Sequence, residues 1–294
     1  MKRRFLTILS VLFSALCLVA GLAACGDAYI GEPEQDGQYL FTLNKGGKSY
    51  TVAAAVPWEL AGDIEIPGEY KGKPVTAIGE GGFGGGEEIT AVHIPGSVTS
   101  LGANAFAGCA MLTAVTIPAS VTAIGEDAFA NCTALEQVAF RKGSALKTIA
   151  DEAFIRCSAL TEITLPNGLT AIGDRAFQEC GLLADMVLPN SVTKLGENAF
   201  RTCYSLQSIT LSTGLKTIET ETFFECGLRA ITIPANVTKI CERAFMRCYH
   251  LESAIFLQPS GWTVDGDTPD LTQDVSWNAN YLTSMYREND WTRK

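Results

Sequence analysis

The sequence predicts an α/β repeat solenoid, a right-handed superhelix of short parallel strands and short helical turns with a capping segment at each end. Three observations predict it. Phe106, Phe129, Phe154, Phe177, Phe200, Phe223 and Phe245 are separated by 23, 25, 23, 23, 23 and 22 residues. Each stands three positions before a cysteine: Cys109, Cys132, Cys157, Cys180, Cys203, Cys226 and Cys248. A proline ends an apolar run at Pro95, Pro118, Pro166, Pro189 and Pro234, and a glycine recurs at Gly79, Gly102, Gly125, Gly173 and Gly196.

One unit shows how these marks make a coil. Leu112 to Ile117 alternates and is rich in β-branched residues, so it reads as a short strand. Pro118 stops it, because proline has no N–H for a sheet ladder. Gly125 reads as a tight bend where a side chain is unwelcome. Glu126-Asp127-Ala128-Phe129 then reads as a short helical turn that drops Phe129 inward. A period of 23 falls inside the leucine-rich-repeat window of about 20–29 residues, and a unit this small cannot bury its own apolar edge. Stacking is therefore obligatory, with Leu112, Val115, Ile117, Val121, Ile124, Ala128, Phe129 and Cys132 meeting their equivalents one coil away. Strands about 4.8 Å apart make roughly eight such coils about 40 Å long.

The ends depart from the period. Residues 39–59, with Leu40-Phe41-Thr42-Leu43 and Ser49-Tyr50-Thr51-Val52, predict a hairpin covering the first coil. Residues 258–294 carry Trp262, Trp277, Tyr281, Tyr286 and Trp291 and read as the second cap, since terminal repeats must shield the core from water. The solenoid proper spans 60–257.

Residues 1–24 read as an export signal: basic Lys2-Arg3-Arg4, an apolar stretch from Phe5 to Ala20, then small residues. Leu22-Ala23-Ala24-Cys25 resembles the bacterial lipobox. That resemblance implies that Cys25 is acylated and anchors the chain to a membrane, with polar residues 25–38 as a flexible tether. Loss of the three leader cations leaves 19 Lys and Arg against 32 Asp and Glu, near −13. So acidic a surface repels phosphate backbones and argues against nucleic acid as a partner. A content of 47% hydrophobic and 18% charged residues supports a packed core and excludes wholesale disorder.

The phrase Ile94-Pro95, Val98-Thr99, Leu101-Gly102, Ala105-Phe106 and Cys109 resembles the bacterial BspA-like class of leucine-rich repeats, with Leu101 in place of an Ile. The resemblance covers residues 60–257. It departs at Phe140-Arg141 and Leu211-Ser212, which lack the proline, and at Ala150, Glu219 and Cys241, which replace the glycine. It implies a cell-surface protein that recognises or adheres to an extracellular protein of a host, a matrix or another cell; together with the lipobox the reading is of a lipid-anchored protein, and a monomer is expected.

Chemistry is sparse. A period of 23 supplies no paired C-x₂-C spacing, so the repeat cysteines predict no metal site. Their parallel side-chain vectors do not suit a disulfide dihedral, and they read as a buried thiol ladder. Cys241, at a bend, is the exception expected near the surface, with a link to Cys248 as a weak alternative. Gly79 to Gly86 lacks the strand, helix and lysine of a phosphate loop and reads as a degenerate repeat. His93 and His250 are the only histidines. On the predicted face the nearest carboxylates to His93 are Glu162 and Asp185, the latter four coils and about 19 Å away, too far for a triad. Glu162 and Asp185 share a column on adjacent coils, near the spacing of about 5–5.5 Å used by retaining glycosidases, but no cleft is apparent. The reading is of no enzyme and no cofactor. The candidate binding residues are the outward strand positions: His93, Thr116, Gln137, Glu162, Thr164, Asp185, Thr210 and Thr232. The alternative is a carbohydrate-binding or carbohydrate-active envelope lipoprotein that uses Trp262 and Trp277.

Overall fold

The computed structural model describes residues 31–272, 274–285 and 287–293. The leader, Cys25 and Tyr286 lie outside them. A typical coil contributes a first strand, a turn usually marked by the proline, a second strand of about two residues, and a run of turns carrying the phenylalanine and cysteine. The second strands form one long parallel array: Lys73–Ile78, Ser100–Leu101, Ala123–Ile124, Thr148–Ile149, Ala171–Ile172 and Lys194–Leu195. The first strands form another, Ala61–Glu65, Glu88–His93, Ala114–Ile117, Gln137–Phe140 and Glu162–Ile163, followed by two separate pairs, Asp185–Val187 with Ser208–Thr210 and Ala230–Ile233 with Ser253–Phe256. The result is a β-solenoid.

The third side is not helical, which corrects the expected helical turn. Asp127 has φ 54° and Asn131 φ 59°, in the left-handed region. A helix would spend every amide on its own chain. Here the N–H groups of Asp127, Phe129 and Asn131 donate to Asp151, Ala153 and Ile155 of the next coil at 3.1, 2.8 and 2.9 Å. Those of Ala128, Ala130 and Cys132 close local turns. The pattern repeats at Glu152 and Arg156, Arg175 and Glu179, Asn198 and Thr202, Glu221 and Glu225, and Arg243 and Arg247. A left-handed residue other than glycine costs about 1 kcal/mol or more, which the added intercoil bonds offset. Gly81 and Gly85 hold the same two positions in the first such coil, so the glycine-rich segment is a repeat turn.

All eight side chains read as inward in the Cys132 coil are buried, none above 3% exposed. The phenylalanines, with Phe83 added, form a continuous stack with ring centroids 5.3–5.7 Å apart. The recurrent glycine serves close approach. A Cβ on Gly125 would stand 2.6 Å from the Gly102 carbonyl carbon, and one on Gly196 would stand 2.4 Å from Gly173.

Both ends are covered. The hairpin strands Tyr39–Leu43 and Tyr50–Ala54 join the second array, Tyr50–Ala54 lying parallel to Lys73–Ile78. Glu34–Asp36 adds an antiparallel strand to that hairpin, so the stretch read as tether is structured there. At the far end Trp291–Arg293 pairs antiparallel with both Lys239–Ile240 and Trp262–Val264. The helix Val275–Asn280 packs on Ser253–Phe256, where the Asn278 side-chain amide donates to the Ala254 carbonyl at 3.0 Å.

Candidate functional site

Parallel pairing in register sorts the outward positions of the first strands into two columns. Gln137 lies beside Ala114 and Glu162, while Asp185 lies beside Ser208. In the second column Thr116 lies beside Ala139, and Val187 beside Thr210. Inward neighbours such as Val115 and Ile163 hold each strand on the core, so alternation alone points these residues outward. His93, Thr116, Gln137, Glu162, Thr164, Asp185, Thr210 and Thr232 are all exposed.

The sequence reading missed two carboxylates on this face. Ala61–Glu65 pairs with Glu88–His93 so that Glu65 stands opposite His93 and Asp63 opposite Ala91. The nearest acidic position to His93 is therefore one strand away, not four coils. The signal was available in Ile64-Glu65-Ile66-Pro67, which matches the strand-and-proline phrase. A small hairpin, Glu69–Tyr70 with Lys73–Pro74, lengthens that coil and hides its register. No hydrogen bond or ion pair joins Glu65 to His93, and the next residue in the column is Thr116.

Glu162 and Asp185 are exposed and turned to different partners. Gln137 Nε2 donates to Glu162 Oε1 at 3.3 Å, and the Ser208 hydroxyl donates to Asp185 Oδ1. The sheet also breaks between their strands. Neither carboxylate is buried, so the environment that tunes a glycosidase acid is missing from this pair.

Two depressions lie where the strands leave this face. One, about 470 Å³, is lined by His93, Thr116, Ala119 and Arg141 among others. The second, about 390 Å³, is lined by Arg141, Lys142, Thr164 and Asn167. Toward the other end the face gains exposed apolar side chains, Val187 at 64% and Ile255 at 44%, in the same column as Thr210 and Thr232.

The described cysteines are structural. Each repeat thiol donates to the carbonyl of a phenylalanine in the preceding coil, as Cys132 to Phe106 at 3.2 Å and Cys180 to Phe154 at 3.2 Å. Burial pushes Cys109, Cys157 and Cys248 up to about 12, far from a reactive thiolate. Cys241 is buried too, against expectation, because the C-terminal strand closes over its bend. Cys241 and Cys248 are both free, so the alternative link between them is not formed. The Cys241 thiol donates to Glu219 Oε2 at 3.4 Å, and burial followed by that carboxylate raises it to about 12. Among the described residues no group of three or more His, Cys, Asp or Glu side chains is placed to hold a metal ion.

Of the aromatics offered for sugar binding, Trp262 is 2% exposed, with its indole N–H on the Gln258 carbonyl and its ring against Phe256. It belongs to the cap core. Trp277 is exposed.

The family model for the BspA type leucine-rich repeat region matches residues 63–154 and 143–252 with six copies. The chain belongs to the BspA-type leucine-rich-repeat family. Among solved structures, this BspA-type chain is similar to a leucine-rich cell surface protein from Faecalibacterium prausnitzii A2-165. The two are 30% identical with a TM-score of 0.60, over 79% of this chain and 56% of that one. It therefore spans little more than half the length of that relative. It is also similar to a leucine-rich-repeat protein of Treponema pallidum, 26% identical with a TM-score of 0.52, over 74% of this chain and 90% of that one. No curated protein matches the chain. Among the described residues no helix is long and apolar enough to cross a membrane.

Proposed function

We propose that the chain is an exported lipoprotein that displays the open face of its first strands to an extracellular protein. Residues 1–24 would be removed and Cys25 would carry the lipid. The observation that supports recognition through this face is its division of labour. Every inward position is spent on the stack, while the outward columns carry side chains that vary from coil to coil, from His93 and Glu162 to Val187 and Ile255. On a repeat scaffold, variable side chains along an extended open sheet face are where a protein partner is read. The relative from Faecalibacterium prausnitzii, described as a cell surface protein, supports the location. The exposed, separately partnered Glu162 and Asp185 favour binding over hydrolysis, and the burial of Trp262 leaves the carbohydrate reading with Trp277 alone.

The paired substitution Thr164→Arg and Asp185→Lys tests this. Both residues are exposed, so folding should be kept. Cross-linking on intact cells is expected to show the adducts of the native chain lost from the double variant. An unchanged adduct profile contradicts the proposal.

A further inference from the structure

The coil between Phe129 and Phe154 is the one with 25 residues. Its two extra residues fall where the first strand ends, so that Phe140-Arg141-Lys142-Gly143-Ser144 replaces the Ile-Pro or Leu-Pro stop of neighbouring coils. The loop is fastened at both ends. The Arg141 N–H donates to the Ile117 carbonyl at 3.0 Å and the Ala145 N–H to the Ala119 carbonyl at 2.8 Å, while Gly143 at φ 80° turns the chain back. The Arg141 and Lys142 side chains are left exposed.

Their surroundings differ from those of the turn-side cations, although among the described residues Lys194, Lys216 and Arg229 likewise have no ion-pair partner. On the turn side Arg156 pairs with Glu179 at 3.1 Å, Arg175 with Glu152 at 2.6 Å, and Arg201 with Glu221. Arg243 and Arg247 are paired as well. Arg141 and Lys142 have no carboxylate within ion-pair distance among the described residues, in a chain of formal charge −10. Arg141 also lines both depressions of the open face, one with His93 and Thr116 and the other with Lys142 and Thr164. Guanidinium and ammonium are donors only, and the guanidinium fork matches a carboxylate.

We infer that the Arg141–Lys142 loop and its two depressions receive an acidic side chain from the protein partner. The inference rests on the open-face reading and adds the chemistry of the partner. An isolated carboxylate fits better than a polyanion, because Glu65, Asp63 and Glu162 stand on the same face and repel a continuous line of negative charge.

The test selects random dodecapeptides displayed on phage against the full chain, then measures the selected peptides by fluorescence anisotropy. Peptides with Asp or Glu at a fixed position are expected. Their affinity should fall about ten-fold or more with Arg141→Glu and Lys142→Glu, and equally when the peptide's Glu becomes Gln. Lys142→Glu alone, at an exposed loop position, should give a smaller loss with the fold intact by circular dichroism. Selected peptides without an acidic preference overturn the inference, as does affinity indifferent to both loop substitutions. Preferential binding of a uronic-acid oligosaccharide added as competitor also overturns it. Peptides that lose binding with Thr164→Arg and Asp185→Lys but ignore the loop leave the open-face reading standing and remove this one. Peptides that map to neither remove both.

Discussion

Phe154→Ala is expected to destabilise the chain by about 3–5 kcal/mol, the range for emptying a large aromatic site in a packed core. Phe154 is fully buried, and its ring lies between those of Phe129 and Phe177 at 5.3 and 5.4 Å. Its N–H and C=O are also committed, the first to Ala176 and the second to the Cys180 thiol. The surrounding coils cannot collapse into the void without breaking those bonds. In a stacked array each coil is held by its two neighbours, so the loss sits in the middle of the cooperative unit. Urea unfolding should show a lower midpoint, and hydrogen exchange should speed up first in the Phe129 and Phe177 coils. Phe154→Leu, which keeps most of the volume, should cost about 1 kcal/mol. An alanine variant within about 1 kcal/mol of the native chain would mean that the stack does not hold the coils together.

Trp291→Ala is the second large effect, and it tests the cap. Trp291 is 1% exposed, with its ring 6.1 Å from Phe256 and edge-on to Tyr281 at 6.3 Å. Its strand closes the edge of Lys239–Ile240 and also holds Trp262–Val264. Truncation should cost about 3–5 kcal/mol and loosen the last strand, exposing an open sheet edge that invites pairing between molecules. Sedimentation at rising concentration should show more self-association in the variant than in the native chain. A monodisperse variant with native stability would assign the shielding of the last coil elsewhere.

The parts of this fold legible in the sequence were those written in side-chain type at a fixed interval. The Phe-x-x-Cys register, the proline stops and the close-packed glycine column fixed coil length, inward positions and the outward columns. The family was legible for the same reason. The turn side was misread because its left-handed positions are filled by Asp127, Asn131, Glu152, Arg156 and others with no common residue type. Only Gly81, Gly85 and Gly108 are glycines at these positions, the usual mark of positive φ. What fixes that geometry is the intercoil hydrogen bonding, which is non-local. The Glu65 and His93 neighbourhood was hidden by the inserted hairpin. The pairing of Trp291–Arg293 with a strand some fifty residues earlier has no periodic signal at all. Arg141 and Lys142 were visible only as a missing proline, and their lack of acidic partners is a fact of packing.

The most direct measurement places a photoreactive phenylalanine analogue singly at Thr164, Thr210 or Arg175 and irradiates intact cells. Thr164 and Thr210 lie on the open face, and Arg175 on the turn side in its Glu152 pair. The account predicts a discrete protein adduct from Thr164 and Thr210 and none from Arg175. A protein adduct from Arg175 with none from the two threonines would contradict it.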